Sequence, residues 1–175
     1  MSDRTYTLKE VVAAIRWLYG RDEAARFARQ LRYWTNLGLI SPIGKKHTGT
    51  GVSRRYSADE VRKAAILAEL ENYHVPKPVL VEGFAVHARS WVKSPAWRQA
   101  VSGSQQVLLY MMYGKPAAIG LGYKFVLGET PLIHLISPKE ERASPELRPS
   151  RELLSVMPAS AIVVNVTRVF ARMKL

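Results

Sequence analysis

Thr7 and Glu10 stand three residues apart, and Ser57 and Glu60 repeat that spacing fifty residues later. A hydroxyl followed at the third position by a glutamate is a helix-start signal, because each side chain can satisfy a backbone N–H that the first helical turn leaves without a partner. After the first signal, Leu8, Val11, Val12, Ile15 and Leu18 recur at helical spacing until Gly20, which predicts a helix over 8–19. Asp22 can cap a second helix carrying Ala25, Phe27, Ala28, Leu31 and Trp34, closed by the Asn36 and Gly38 pair and kept from continuing by Pro42. The second signal opens a third helix through Val61, Ala65, Ala68 and Leu70 that ends before Pro76. Between the second and third helices, residues 43–53 hold three glycines, two lysines and a His-Thr-Gly-Thr-Gly run, the composition of a hairpin or wing with a basic tip.

Charge singles out the same region. The chain carries 26 Lys and Arg against 14 Asp and Glu, a net charge of +12 that favours polyanionic partners. Residues 24–58 contain no Asp or Glu, yet Arg26, Arg29, Arg32, Lys45, Lys46, Arg54 and Arg55 all fall there. Helix, helix, basic wing, helix is an order that docks on DNA, with the second helix in the major groove and the wing along a phosphate strand. Arg26, Arg29 and Gln30 have the forked or bidentate groups that read base edges, whereas Lys45, Lys46, Arg54 and Arg55 suit phosphates, with His47 beside them in the wing. Phe27, Leu31 and Trp34 are expected in the core.

Beyond Pro76, residues 79–92 read as a further helix, and Pro95 interrupts it before a shorter turn to Ala100. Composition then changes to short apolar or β-branched runs at 107–113, 123–127, 132–136 and 162–170, separated by Gly or Pro, which predicts strands. Residues 137–150 read as a loop, followed by a brief helix near 152–156. The expected fold class is α+β: an N-terminal winged helix-turn-helix over residues 1–94, then a small α+β dimerisation or effector module over 95–175. A fragment ending near Ser94 is expected to fold by itself. Tyr110, Met111, Met112, Tyr113, Tyr123 and Phe125 could line a pocket or a dimer interface, although core packing accounts for most such residues.

The run Leu31-Arg32-Tyr33-Trp34, then Gly38-Leu39-Ile40 and Pro42, then Arg54-x-Tyr56-Ser57 with Asp59-Glu60 opening a helix, resembles the DNA-binding domain of the MerR family over about residues 5–85. That resemblance implies that Arg32 and Tyr33 contact the DNA backbone, that Arg54 binds phosphate from the wing, and that Tyr56 is structural. Members usually have a small Gly-Val-Ser turn before the recognition helix, where this chain has a longer, charged segment over 20–28. Many members also dimerise through a long coiled-coil helix, for which Pro76, Pro78 and Pro95 leave no room.

Other chemistries find little support. Without cysteine there is no disulfide, thiolate metal site or thiol switch. His47, His74, His87 and His134 are scattered, so no metal is expected. Gly120-x-Gly122 lacks the strand-loop-helix order of a nucleotide-binding loop. No aspartate follows Asp59, and the glutamates show no paired spacing with a histidine, so neither catalysis nor a cofactor is expected. No apolar run reaches the roughly 18 residues of a membrane span, and the N-terminus lacks the apolar stretch of a signal peptide, which points to the cytoplasm. The expectation is a sequence-specific transcription regulator binding a palindromic site in double-stranded DNA as a homodimer, with RNA polymerase or an effector as further candidate partners and no membrane partner. The alternatives are a DNA-architecture factor of the excisionase or plasmid-partition kind, and a protein or ligand module that the DNA domain delivers.

Overall fold

The computed structural model describes residues 4–19, 23–44, 53–75, 77–113, 123–128, 160–173 and 175. The fold is mixed α+β, as its punctuation suggests. Strand β1 (Thr5–Thr7) leads into helix α1 (Leu8–Ala14), which tightens into a 3-10 turn over Arg16–Leu18. Helix α2 spans Ala24–Leu37, strand β2 Arg55–Ser57 and helix α3 Ala58–Asn72. Helix α4 (Lys77–Val79), a π-helical segment (Leu80–Phe84) and helix α5 (Ala85–Trp91) occupy the stretch expected as one helix. Helix α6 (Pro95–Ser102), strands β3 (Leu108–Tyr113), β4 (Tyr123–Gly128) and β5 (Ser160–Asn165), and helix α7 (Val166–Ala171) follow.

Both helix-start signals act, but differently. At Thr7 the reciprocal pair forms: the Thr7 hydroxyl accepts from the Glu10 N–H, and the Glu10 carboxylate accepts from the Thr7 N–H at 2.7 Å. That second bond is the main reason the Glu10 carboxyl is held below its ordinary pKa. At Ser57 only half of the pair forms. Its hydroxyl accepts from the Glu60 N–H at 3.3 Å, whereas the Glu60 carboxylate accepts from the Ser41 N–H at 2.7 Å, a partner nineteen residues away in sequence. The proposed Asp22 cap lies outside the described residues; Glu23, at the cap position, makes no side-chain cap bond and pairs with Arg26 instead.

Two strand assignments change. Three residues are too few to show a period, so β1 left no sequence signal; it pairs antiparallel with β2, Tyr6 opposite Tyr56. The run 162–170, read as one strand, is a strand only to Asn165. There the Asn165 side chain accepts from the Arg168 N–H at 2.9 Å and opens α7. β-branched residues favour a strand locally, but Val166, Val169 and Phe170 follow helical spacing and bury one face against the core, which outweighs that preference. The remaining sheet has the order β4-β3-β5, antiparallel throughout, with Tyr110 between Val126 and Val163. The features expected at 132–136, 137–150 and 152–156 lie outside the described residues.

Helix α3 is the axis of the molecule. Lys63 through Ala68 are buried without interruption, together with Val61 and Leu70, so this helix is covered all round rather than along one stripe. It touches β1, β2 and the 3-10 turn from the first half, and β5 and α7 from the second. The Trp97 indole N–H donates to Asp59 at 2.9 Å, and its ring meets Phe170 edge-on at 5.0 Å between centroids. Trp97, Val107, Leu109, Met111, Val164 and Phe170 join Phe27, Leu31 and Ile66 in one core cluster. Core contacts thus cross the boundary expected at 94/95, and Ser94 itself caps α6 by accepting from the Trp97 N–H.

Candidate nucleic-acid interface

Helix α2 has two unlike sides. Phe27, Leu31, Trp34 and Thr35 are buried; Phe27 meets Trp34 edge-on and stacks on Tyr19. Burial pushes the Tyr19 hydroxyl pKa up. The Thr35 hydroxyl donates to the Leu31 carbonyl at 2.8 Å and lies 3.1 Å from the Tyr56 hydroxyl, so Tyr56 is a buried link between α2 and β2. At the helix end Gly38 takes the left-handed φ of 77° that a side chain would resist.

The other side carries Arg26, Arg29, Arg32 and Tyr33, all exposed. Three guanidiniums on successive turns and their neighbours form a cationic face, backed by the apolar side that fixes it in place. Arg26 pairs with Glu23 at 3.2 Å, both ends well exposed, a contact of the kind that exchanges easily for another anion. Arg29 and Arg32 form no ion pair among the described residues. Tyr33 has the Lys77 ammonium 5.1 Å from its ring centroid. Lys77, exposed and forty-four positions away in sequence, was not anticipated; only the packing of the segment after α3 brings it beside α2.

Gln30 is placed differently from its arginine neighbours. It sits at the edge of the exposed face, and its amide donates to the Glu71 carboxylate of α3 at 2.5 Å. The Trp34 indole N–H reaches the same carboxylate oxygen at 3.2 Å. Burial raises the Glu71 pKa, opposed by the Trp34 hydrogen bond, the Lys77 and Arg26 charges and the Gln30 hydrogen bond. No local pattern could have flagged Glu71, because its partners lie about forty residues away.

The stem of the expected wing is also in view. The Ile43 N–H donates to the Arg55 carbonyl at 2.7 Å, and Arg55 pairs with Thr7 on its other side. The Arg55 guanidinium is exposed and donates to the Thr5 hydroxyl at 3.2 Å; Arg54 is half-buried. Glu60 ties Ser41 to the start of α3 while pairing with the buried Lys63 ammonium, so the chain entering the stem is anchored to the central helix. Lys45, Lys46 and His47 lie outside the described residues. Of the apolar residues considered for a pocket or interface, Met111 is buried, and the side chains of the others lie outside the described residues.

Among the described residues no helix is long and apolar enough to cross a membrane. A scan of the chain against protein-family models finds no matching family, and a search of curated proteins finds no matching relative.

Proposed function

We propose that the chain is a sequence-specific DNA-binding regulator, with a MerR-like winged helix-turn-helix in its first half that binds a palindromic site as a homodimer. The observation that carries this reading is the outward face of α2, where Arg26, Arg29, Arg32 and Tyr33 stand exposed on a helix whose other side is buried. The acid-free stretch extends that cationic character through the stem residues Arg54 and Arg55. In this reading Arg29 reads a base edge in the major groove, and Arg32 and Tyr33 hold phosphates, with Lys45, Lys46, His47, Arg54 and Arg55 following the backbone from the wing. Short helical segments after α3 leave residues 101–175 as the source of the two-fold contact.

The test is a pair of substitutions read by salt-dependent binding. Arg32→Ala should weaken binding to all duplexes alike and lower the salt slope by about one counterion, as loss of one phosphate contact does. Arg29→Ala should instead cost about 1 to 3 kcal/mol at the preferred site and relax its selectivity. Unchanged affinity in both folded variants would remove α2 from the interface. A footprint of phased repeats, in place of one dyad site, would favour the DNA-architecture alternative.

A further inference from the structure

Glu71 occupies a position that its own helix does not favour. It lies in the last turn of α3, where backbone carbonyls make the local potential negative and where no basic residue compensates. It is also half-buried, which disfavours the carboxylate further. A carboxylate held against both costs has its compensation in nearby groups: the Lys77 and Arg26 charges, and two N–H donors on α2, from Gln30 and Trp34, converging on a single oxygen. Residues 30 and 34 are one turn apart, so a carboxylate gripping both reinforces the rotation of α2 that its buried apolar side sets. A helix rotated by part of a turn would present a different set of side chains to a groove.

The grip has a second consequence. Reading adenine requires the glutamine amide to offer its N–H donor and its carbonyl acceptor together to one base edge. With one of its two N–H groups bonded to a carboxylate, a bond stronger than one between neutral groups, the Gln30 amide has its position and plane set by α3, away from the outward face. From this geometry we infer that Glu71 is a positioning residue for recognition: it withholds Gln30 from the bases and helps hold outward the face of α2, that of Arg26, Arg29, Arg32 and Tyr33, that addresses DNA. The inference rests on the DNA-binding reading above and assigns the selectivity of that site.

The test uses the full chain and a pool of duplexes with a randomised core, selected on purified protein and sequenced, with a thermal melt of each variant. Gln30→Ala should select the same consensus as the wild type. Glu71→Gln keeps an acceptor for both donors and should also preserve it. Glu71→Met should reduce the preference for the best wild-type site over a scrambled one by about tenfold, within the range of one lost bidentate base contact, and should enrich adenine at a new position. Glu71→Met combined with Gln30→Ala should lose that new adenine. A Gln30→Ala consensus that differs from wild type, or a folded Glu71→Met protein with unchanged consensus and discrimination, overturns the inference while leaving DNA binding intact. Should Glu71→Met fail to fold, Gln30→Ala and Glu71→Gln decide by the same criterion. Wild-type protein that binds no duplex overturns the functional reading itself.

Discussion

The two ends of α3 are held by acidic residues in opposite circumstances. At the N-terminal end, Asp59 and Glu60 sit where the helix dipole favours negative charge. Each also joins the helix to another part of the chain, since Asp59 accepts from the Trp97 indole at 2.9 Å and Glu60 from the Ser41 N–H at 2.7 Å, while their ion pairs with Arg62 and Lys63 lie within α3. At the C-terminal end Glu71 opposes the dipole and is held by its hydrogen bonds to α2 and by the Lys77 and Arg26 charges. The first turn of α3 therefore serves stability, joining the stem and the second half to one axis, whereas its last turn trades stability for the placement of α2.

Removing what the N-terminal end joins should have the largest effect. A chain ending at Ser94 loses Trp97, β5 and α7, with Phe170, from the flank of α3, exposing positions that are buried there in the full chain. Such a fragment is expected to lose cooperative thermal unfolding and the near-ultraviolet dichroism of packed aromatics. A sharp transition close to that of the full chain would support the independent N-terminal domain that the sequence pattern favours.

Within the intact chain, Glu60→Ala comes next. It leaves the Lys63 ammonium, 7% exposed, without its counter-charge and breaks the bond to the Ser41 N–H, so it should cost about 3–5 kcal/mol in urea unfolding. A loss below about 1 kcal/mol, the range of an exposed pair, would show that this end is no stronger an anchor than a surface contact.

The smallest effect belongs to the C-terminal end and appears only against pH. Burial holds the Glu71 pKa above its ordinary 4.5, so between those values the folded chain binds a proton that the unfolded chain has released. The contribution of Glu71 to stability therefore grows as pH falls from above its folded pKa toward 4.5, and shrinks as pH rises. Glu10, with a lowered pKa, has the reverse sign: its contribution is present above 4.5 and is lost as pH falls through its folded value. Subtracting the pH–stability profile of Glu71→Gln from that of the wild type should leave a difference that rises toward acid. A flat difference would mean that Glu71 is not desolvated.

Much of this protein is set within a few residues of chain. The Thr7 and Glu10 pair, the Ser57 hydroxyl on the Glu60 N–H and the left-handed Gly38 depend on groups three or four positions apart, so their spacing predicts them. The alternation of buried and exposed positions along α2 is equally local in origin, and with it the outward Arg26, Arg29 and Arg32. Tertiary structure decided what spacing cannot express. The pairing of β1 with β2, the turn of residues 166–171 into a helix, and the burial of α3 on all sides follow from contacts between distant segments. The same holds for Gln30, whose residue type suits a base edge but whose amide finds a carboxylate forty-one positions away. A charge-assisted bond in a half-buried site outcompetes water for that amide, and no feature of the local sequence records that the carboxylate will be there.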